Sequence, residues 1–353
     1  MLRSAQRGSL VLLPRHGFVC WRVTRPFLIG ALGSFVDCRF DWSFGSDSGL
    51  PGFGFIQGLA LVARGRWRQA YGIMNWYGLS RMAMAESPGT ALVTGASSGI
   101  GLEFARLLAA RGHDLVLVAR RASALEQVAR ELEAAHGIAV TVAPLDLGLP
   151  GASQQLWDLT EQQGLQIEVL VNNAGIGVYG DHIALDPSRV ASMLQLNILS
   201  LSELCQHYGR AMAHAGRGWI LNIASTAAYQ PTPYFAAYGA SKVYVLNFSE
   251  ALAMELEDQG VVVSCLSPGP SDTGFFNDLD QGGIAIDIFA KGSRRSARAV
   301  AQVGLERLFA GKLSSIDGRM NRWKALSLRL VPRAVAARFS KALMTSKSTR
   351  PTH

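Results

Sequence analysis

The 353-residue sequence predicts an α/β fold, a single doubly wound parallel sheet with helices on both faces. Three observations carry that expectation. Short apolar runs alternate with segments of helical spacing from Thr90 to Leu266. The first two helical segments stop at glycines, Gly112 and Gly137. The first apolar run opens directly into a glycine-rich turn. Apolar runs without polar alternation belong to strands buried on both faces, as a parallel sheet flanked by crossover helices requires.

The elements follow in order. Residues 90–94 (Thr-Ala-Leu-Val-Thr) form the first buried strand, and Gly95-Ala-Ser-Ser-Gly99-Ile-Gly101 the turn. A helix over 102–111 places Leu102, Ala105, Leu108 and Ala109 at helical spacing before Gly112 ends it. Strand 114–118, helix 123–135 closed by Gly137, and strand 139–144 come next. Strand 169–171, helix 186–215, strand 219–223, helix 238–256 and strand 261–266 complete the alternation.

Charge divides the chain differently. Residues 1–83 hold ten Arg and three Asp, residues 84–317 hold 15 basic and 23 acidic residues, and residues 318–353 hold nine basic residues and no acid. The net charge of +8 therefore belongs to the two ends. The acidic centre excludes a nucleic-acid-binding reading, and any cationic contact falls to the termini. The four cysteines (Cys20, Cys38, Cys205, Cys265) have neither paired nor metal-type spacing, which argues against a disulfide scaffold or a Cys-based zinc site. A reducing compartment, the cytoplasm, is the expectation. No apolar run approaches the roughly 18 residues of a membrane span.

Residues 1–83 contain no Lys and no Glu, where about five would be expected at the density of the rest. Solvated helix faces normally use both. The segment therefore reads as a poorly ordered leader or mis-started upstream sequence, with Met82 or Met84 the functional start. A transit peptide is the rival, since five Arg precede the first acid, Asp37, although Pro14 interrupts the pattern. Residues 84–317 are the expected catalytic domain and 318–353 a basic tail.

A glycine turn between strand and helix suits a phosphate. The glycines permit close backbone approach, and the helix N-terminus offers N–H groups with positive partial charge. Gly95, Gly99 and Gly101 are spaced G-x-x-x-G-x-G, unlike the common G-x-G-x-x-G dinucleotide fingerprint. After the second strand an acid would bind the ribose of NAD, whereas Arg suits the 2′-phosphate of NADP. The sequence there is Ala119-Arg120-Arg121, which favours NADP.

Ser225, Tyr238 and Lys242 form the candidate catalytic set. Tyr and Lys four apart share a helix face, so the ammonium sits beside the phenol and favours phenolate. Ser225, after the preceding strand, would polarise the same oxygen. The His residues show no ligand spacing, and a metal is not expected.

Residues 88–275 resemble the short-chain dehydrogenase/reductase family, in its compact single-domain, Rossmann-type branch. The resemblance rests on Thr94-Gly-Ala-Ser-Ser-Gly-Ile-Gly101, Asp146-Leu147, Asn172-Asn-Ala-Gly175, Asn197, Ser225, Tyr238-Gly-Ala-Ser-Lys242, and Pro268-Gly269 with Thr273. It implies that Gly95, Ser97, Ser98, Gly99, Ile100 and Gly101 line the cofactor phosphates and adenosine ribose. By the same resemblance Asp146 meets the adenine, and Asn172 and Gly175 close the wall beside its ribose. Asn197 holds a water that relays protons to Lys242. Lys242 binds the nicotinamide ribose, and Pro268, Gly269 and Thr273 flank the nicotinamide. The basic residue that some NADP enzymes carry inside the glycine loop is absent, so NADP preference rests mainly on Arg120. The implied reaction is hydride transfer between nicotinamide C4 and a carbonyl carbon. In it Tyr238 serves as acid/base, Ser225 stabilises the alkoxide and Lys242 keeps the phenol's pKa low.

After Thr273, Phe275-Phe276 and Gly282-Gly283 read as an apolar lid with a glycine hinge, which suggests a hydrophobic carbonyl or alcohol substrate. In the tail, Trp323, Leu326 and Leu330 share one helical face, and Val335, Phe339 and Leu343 another beyond Pro332, with basic residues around them. This pair packs over the acidic core or a subunit interface, or it lies on an anionic membrane. A homodimer or homotetramer through 186–215 is what the family implies. The expected function is an NADP(H)-dependent carbonyl reductase or alcohol dehydrogenase. A membrane-held fatty-acyl or sterol-type ketoreductase and a non-catalytic NADP-binding regulator are the alternatives.

Overall fold

The computed structural model describes residues 35–37, 59–61, 88–272, 295–328 and 330–344. The chain falls into two compact units, 1–83 and 84–353. In the first, β1 (Phe35–Asp37) and β2 (Leu59–Leu61) pair antiparallel. The leader otherwise, Thr273 and the expected lid lie outside the described residues.

The second unit is built on seven parallel strands: β3 (Thr90–Thr94), β4 (Leu115–Ala119), β5 (Val140–Pro144), β6 (Ile167–Asn172), β7 (Gly218–Ile223), β8 (Val261–Ser267) and β11 (Ser314–Ile316). Their spatial order is β11-β8-β7-β6-β3-β4-β5. The expected doubly wound sheet is thus the fold observed. The chain runs outward from β3 to β5, returns to β6 on the other side of β3, and then runs outward the opposite way. Ligands of such sheets bind beyond the carboxyl ends of the strands at that reversal.

Strand residues alternate between two buried layers. Leu92, Val116, Leu170, Ile220 and Val263 face α3 (Ala152–Gln162), α5 (Leu201–Ala215) and α6 (Ala236–Leu256). Ala91, Val93, Leu117, Val171 and Leu221 face α1 (Gly99–Ala109), α2 (Ala122–His136) and α7 (Ala297–Phe309). Short strands β9 (Ser271–Asp272) and β10 (Arg295–Ser296) pair where the chain leaves and re-enters the described residues. The buried Asp317 at the end of β11 pairs with Arg295 at 3.0 Å.

Several elements differ from the sequence reading. Helix α3 was not expected, because its buried positions Ala152, Ser153, Leu156 and Thr160 include one large apolar side chain. Helix α7 and edge strand β11 were not expected either. The single helix over 186–215 is instead α4 (Pro187–Leu194), capped by Asp186, then a π-helical segment Gln195–Ser200, then α5. An i→i+5 turn inside an otherwise continuous helix offsets its apolar spacing by about one residue, too little for periodicity to reveal over so short a stretch.

The tail folds into α8 (Arg319–Leu328) and α9 (Arg333–Met344), separated at Pro332. Ala325, Ala336, Ser340 and Met344 are buried, so one side of the pair packs on this same unit. Among the described residues no helix is long and apolar enough to cross a membrane.

Candidate active site

The carboxyl ends of β3, β4, β6, β7 and β8 open into one cavity of about 700 Å³. Of the residues expected at a site, Gly95, Ser97, Ser98, Gly99, Ile100, Arg120, Asp146, Gly175, Ser225, Tyr238, Lys242, Pro268 and Gly269 line it. Sequence separations of more than 170 residues are thereby brought to one wall.

The glycine turn is shaped for close approach. Gly95 and Gly99 take φ of +68° and +58°, where a side chain would be strained. A Cβ at Gly101 would sit 2.2 Å from the Gly95 carbonyl oxygen. Gly101 therefore packs helix against turn and does not itself reach the cavity. Ser98 precedes α1 in extended backbone and makes no side-chain cap, leaving the first-turn N–H groups without a side-chain acceptor. Such a cradle fits a pyrophosphate. At its outer rim Arg121 Nη2 donates to Ser97 Oγ at 3.5 Å, with Arg120 beside it on the wall. Asp146 Oδ1 accepts from Gly148 N at 2.9 Å, which fixes the turn after β5. These donors and glycines fit a nicotinamide dinucleotide.

Asn172 is not part of the wall. It is buried, and its Nδ2 donates to Asn222 Oδ1 at 2.9 Å and lies 3.2 Å from Cys205 Sγ, tying β6 to β7 and α5. Asn173 takes its place: its Nδ2 donates to the Thr94 carbonyl at 3.0 Å, and its N–H and that of Ala174 donate to Thr94 Oγ1. Asn197 also sits behind the wall, inside the π-helical segment. Its Oδ1 accepts from Ile176 N at 3.1 Å, and its Nδ2 donates to the Ile176 carbonyl at 2.9 Å and Ser241 Oγ at 3.1 Å. A Cβ at Gly175 would lie 3.2 Å from Asn197 Oδ1 and 3.3 Å from Lys242 Nζ, so these two polar groups meet across that glycine.

Ser225 follows β7 in extended backbone, and its hydroxyl accepts from Ala227 N at 3.1 Å. Tyr238 and Lys242 are one turn apart on α6, with Nζ 5.8 Å from the centroid of the phenol ring. Nζ donates to the Ile223 carbonyl at 2.9 Å. Burial pushes the Tyr238 phenol up to about 12, against an opposing hydrogen bond with Ser225. Burial brings the Lys242 ammonium down to about 8. At Tyr238 burial is the larger cause and the Ser225 hydrogen bond acts against it.

At the far end, Phe235 packs 5.4 Å from Tyr238 and 5.0 Å from Tyr179, centroid to centroid. Tyr179 Oη donates to the Met344 carbonyl at 2.7 Å, and Met344 of α9 lines the cavity. Tyr234, with φ of +64°, holds this corner through Gly180 N, which donates to its carbonyl at 2.9 Å. The sequence reading missed Phe235 and Met344. Arg121 and Asn173 stood in quoted stretches but were given no role. Among the described residues no group of three His, Cys, Asp or Glu is placed to hold a metal ion.

Fold and site together define a dinucleotide-binding α/β class, and comparison gives the family. Residues 89–282, more than half the chain, match the family model for short chain dehydrogenases, and the chain belongs to that family. It is 32% identical over 182 residues to 17-beta-hydroxysteroid dehydrogenase type 3 of Mus musculus, covering 50% of this chain and 58% of the relative. It is 33% identical over 206 residues to the very-long-chain 3-oxoacyl-CoA reductase of Anas platyrhynchos, covering 56% and 65%. The chain thus matches less than two thirds of the length of either relative. A short-chain dehydrogenase from Sphingobium yanoikuyae in complex with NADPH superposes with a TM-score of 0.62 at 28% identity, covering 75% of this chain and 99% of that one.

Proposed function

We propose that this protein is an NADPH-dependent reductase of a bulky, hydrophobic ketone. The observation that carries the reading is Tyr238 beside Ser225 and Lys242, in one cavity with Arg120 and Arg121. When bound, the nicotinamide supplies a hydride at C4. Ser225 and the Tyr238 hydroxyl orient the carbonyl oxygen, and Tyr238 gives up its proton as negative charge develops there. Lys242 places a cation against the phenolate left behind. Arg120 and Arg121 meet the 2′-phosphate, which favours NADPH over NADH. The names of the two relatives, a hydroxysteroid dehydrogenase and an oxoacyl-CoA reductase, support a large apolar substrate, as does the Phe235 and Met344 end of the cavity.

The test follows reduced-nicotinamide fluorescence for binding, and its consumption with a 17-ketosteroid and a long-chain 3-oxoacyl thioester for turnover. Tyr238→Phe should lower turnover by roughly two to four orders of magnitude and leave NADPH affinity within a few-fold. Retained turnover would overturn the acid assignment. Failure of the wild type to bind either nucleotide would overturn the enzyme reading itself.

A further inference from the structure

The sequence set two fates for the basic tail against each other, packing on the core or lying on a membrane. The structure shows one set of tail residues packed on the unit and another set exposed. Ala325, Ala336, Ser340 and Met344 are buried against the unit. Met320, Trp323, Leu326, Leu330, Val335 and Phe339 are exposed, Trp323 at 70% and Phe339 at 63%. Large apolar side chains at such exposure, gathered within 20 residues of chain, are a cluster that water does not favour.

The charges around this surface identify its occupant. Arg319, Arg322, Lys324, Arg333 and Arg338 are exposed among the apolar residues, and residues 318–353 hold nine basic residues and no acid. Two copies meeting through the same face would set like charges against each other. An anionic lipid surface instead satisfies both components. Apolar side chains enter the acyl boundary while the cations remain among the headgroups. Trp, with an apolar ring and one N–H, suits that boundary.

We propose that α8 and α9 form a docking surface for an anionic membrane, lying in the interface plane without crossing it. The same pair supplies Met344 to the cavity and holds Tyr179, which packs on Phe235 beside Tyr238. Docking therefore brings the hydrophobic end of the cavity to the lipid. That last point rests on the ketone-reductase reading; the docking itself does not.

The test is flotation of the full chain with vesicles of phosphatidylcholine alone and of phosphatidylcholine mixed with phosphatidylserine. Wild-type protein should float with the mixed vesicles and stay behind with the neutral ones, and raised salt should weaken the association. A Trp323→Ser/Phe339→Ser double variant should lose about tenfold or more in partition, since two exposed aromatic rings no longer enter the boundary. Arg322→Glu/Arg338→Glu should lose a similar factor selectively on the anionic vesicles. Leu149→Ser, an exposed apolar site outside the tail, should float like wild type. Unchanged circular dichroism and thermal melting show that the variants are folded, and none of these readouts requires nucleotide binding or turnover. Wild type that floats with neither vesicle overturns the proposal. So does a Trp323→Ser/Phe339→Ser variant that floats undiminished, or one whose only change is a smaller oligomer, which would assign the face to a second copy.

Discussion

Replacing Lys242 by Met should stabilise the nucleotide-free protein while removing its activity. Lys242 is 5% exposed, and burial carries its pKa down from 10.5 to about 8. A shift of that size costs the charged side chain about 3 kcal/mol at any pH below the folded value. Met keeps much of the length without the charge and removes that cost. The Ile223 carbonyl, which accepts from Nζ at 2.9 Å, then loses its partner, at a cost of about 1 kcal/mol. The variant is left about 2 kcal/mol more stable. The pH dependence has a definite sign. Because the folded pKa lies below the unfolded one, the unfolded wild-type chain holds the extra proton between about 8 and 10.5, and wild-type stability rises with pH through that window. The advantage of the variant is therefore full near pH 7 and shrinks above pH 8. It reverses past 10.5, where a neutral lysine still donates to Ile223. Urea unfolding followed by tryptophan fluorescence across this range measures it. A variant less stable than wild type near pH 7, or a gap that stays flat with pH, would show that the ammonium is not desolvated and would refute the reasoning.

Other substitutions probe other parts of the wall. Gly101→Ala would place a methyl 2.2 Å from the Gly95 carbonyl oxygen and 2.5 Å from Asn173 Nδ2. It should cost about 1–3 kcal/mol in urea unfolding and weaken NADPH binding with it. Arg120→Asp should shift nucleotide preference toward NADH by about tenfold or more, read from paired fluorescence titrations. Unchanged preference would assign the phosphate to Arg121. Asn197→Leu strands the N–H and carbonyl of Ile176, each at about 1–3 kcal/mol, so the melting temperature should fall even with nucleotide bound.

The sheet was legible because its strands advertise themselves. Leu92, Val116, Leu170, Ile220 and Val263 on one face and Ala91, Val93, Leu117, Val171 and Leu221 on the other make uninterrupted apolar runs, which only a sheet covered on both sides can use. Motif spacing likewise pointed to the glycine turn and to Ser225, Tyr238 and Lys242. What stayed hidden depends on three-dimensional company. Asn172 and Asn173 are chemically identical in sequence, and only the pleat decides that one braces β7 while the other faces the cavity. Met344 lies 102 residues beyond Lys242 in a tail whose outward charge draws the eye from its buried side. The enclosure around Tyr238, which raises its pKa, is likewise invisible in the spacing of Tyr238 and Lys242.

The π-helical segment at Gln195–Ser200 has a bearing on how this chain can vary. An α-helix advances about 100° per residue, and an i→i+5 turn takes up roughly one residue more than an α-turn, so the helix beyond it keeps its face although the chain is one residue longer. Leu204, Tyr208 and Met212 therefore stay inside the core. Deleting one residue within Gln195–Ser200 should restore ordinary winding and leave that packing in place, while removing the widened turn from which Asn197 reaches Ile176. The segment is thus a spare residue that the scaffold can do without and the site cannot.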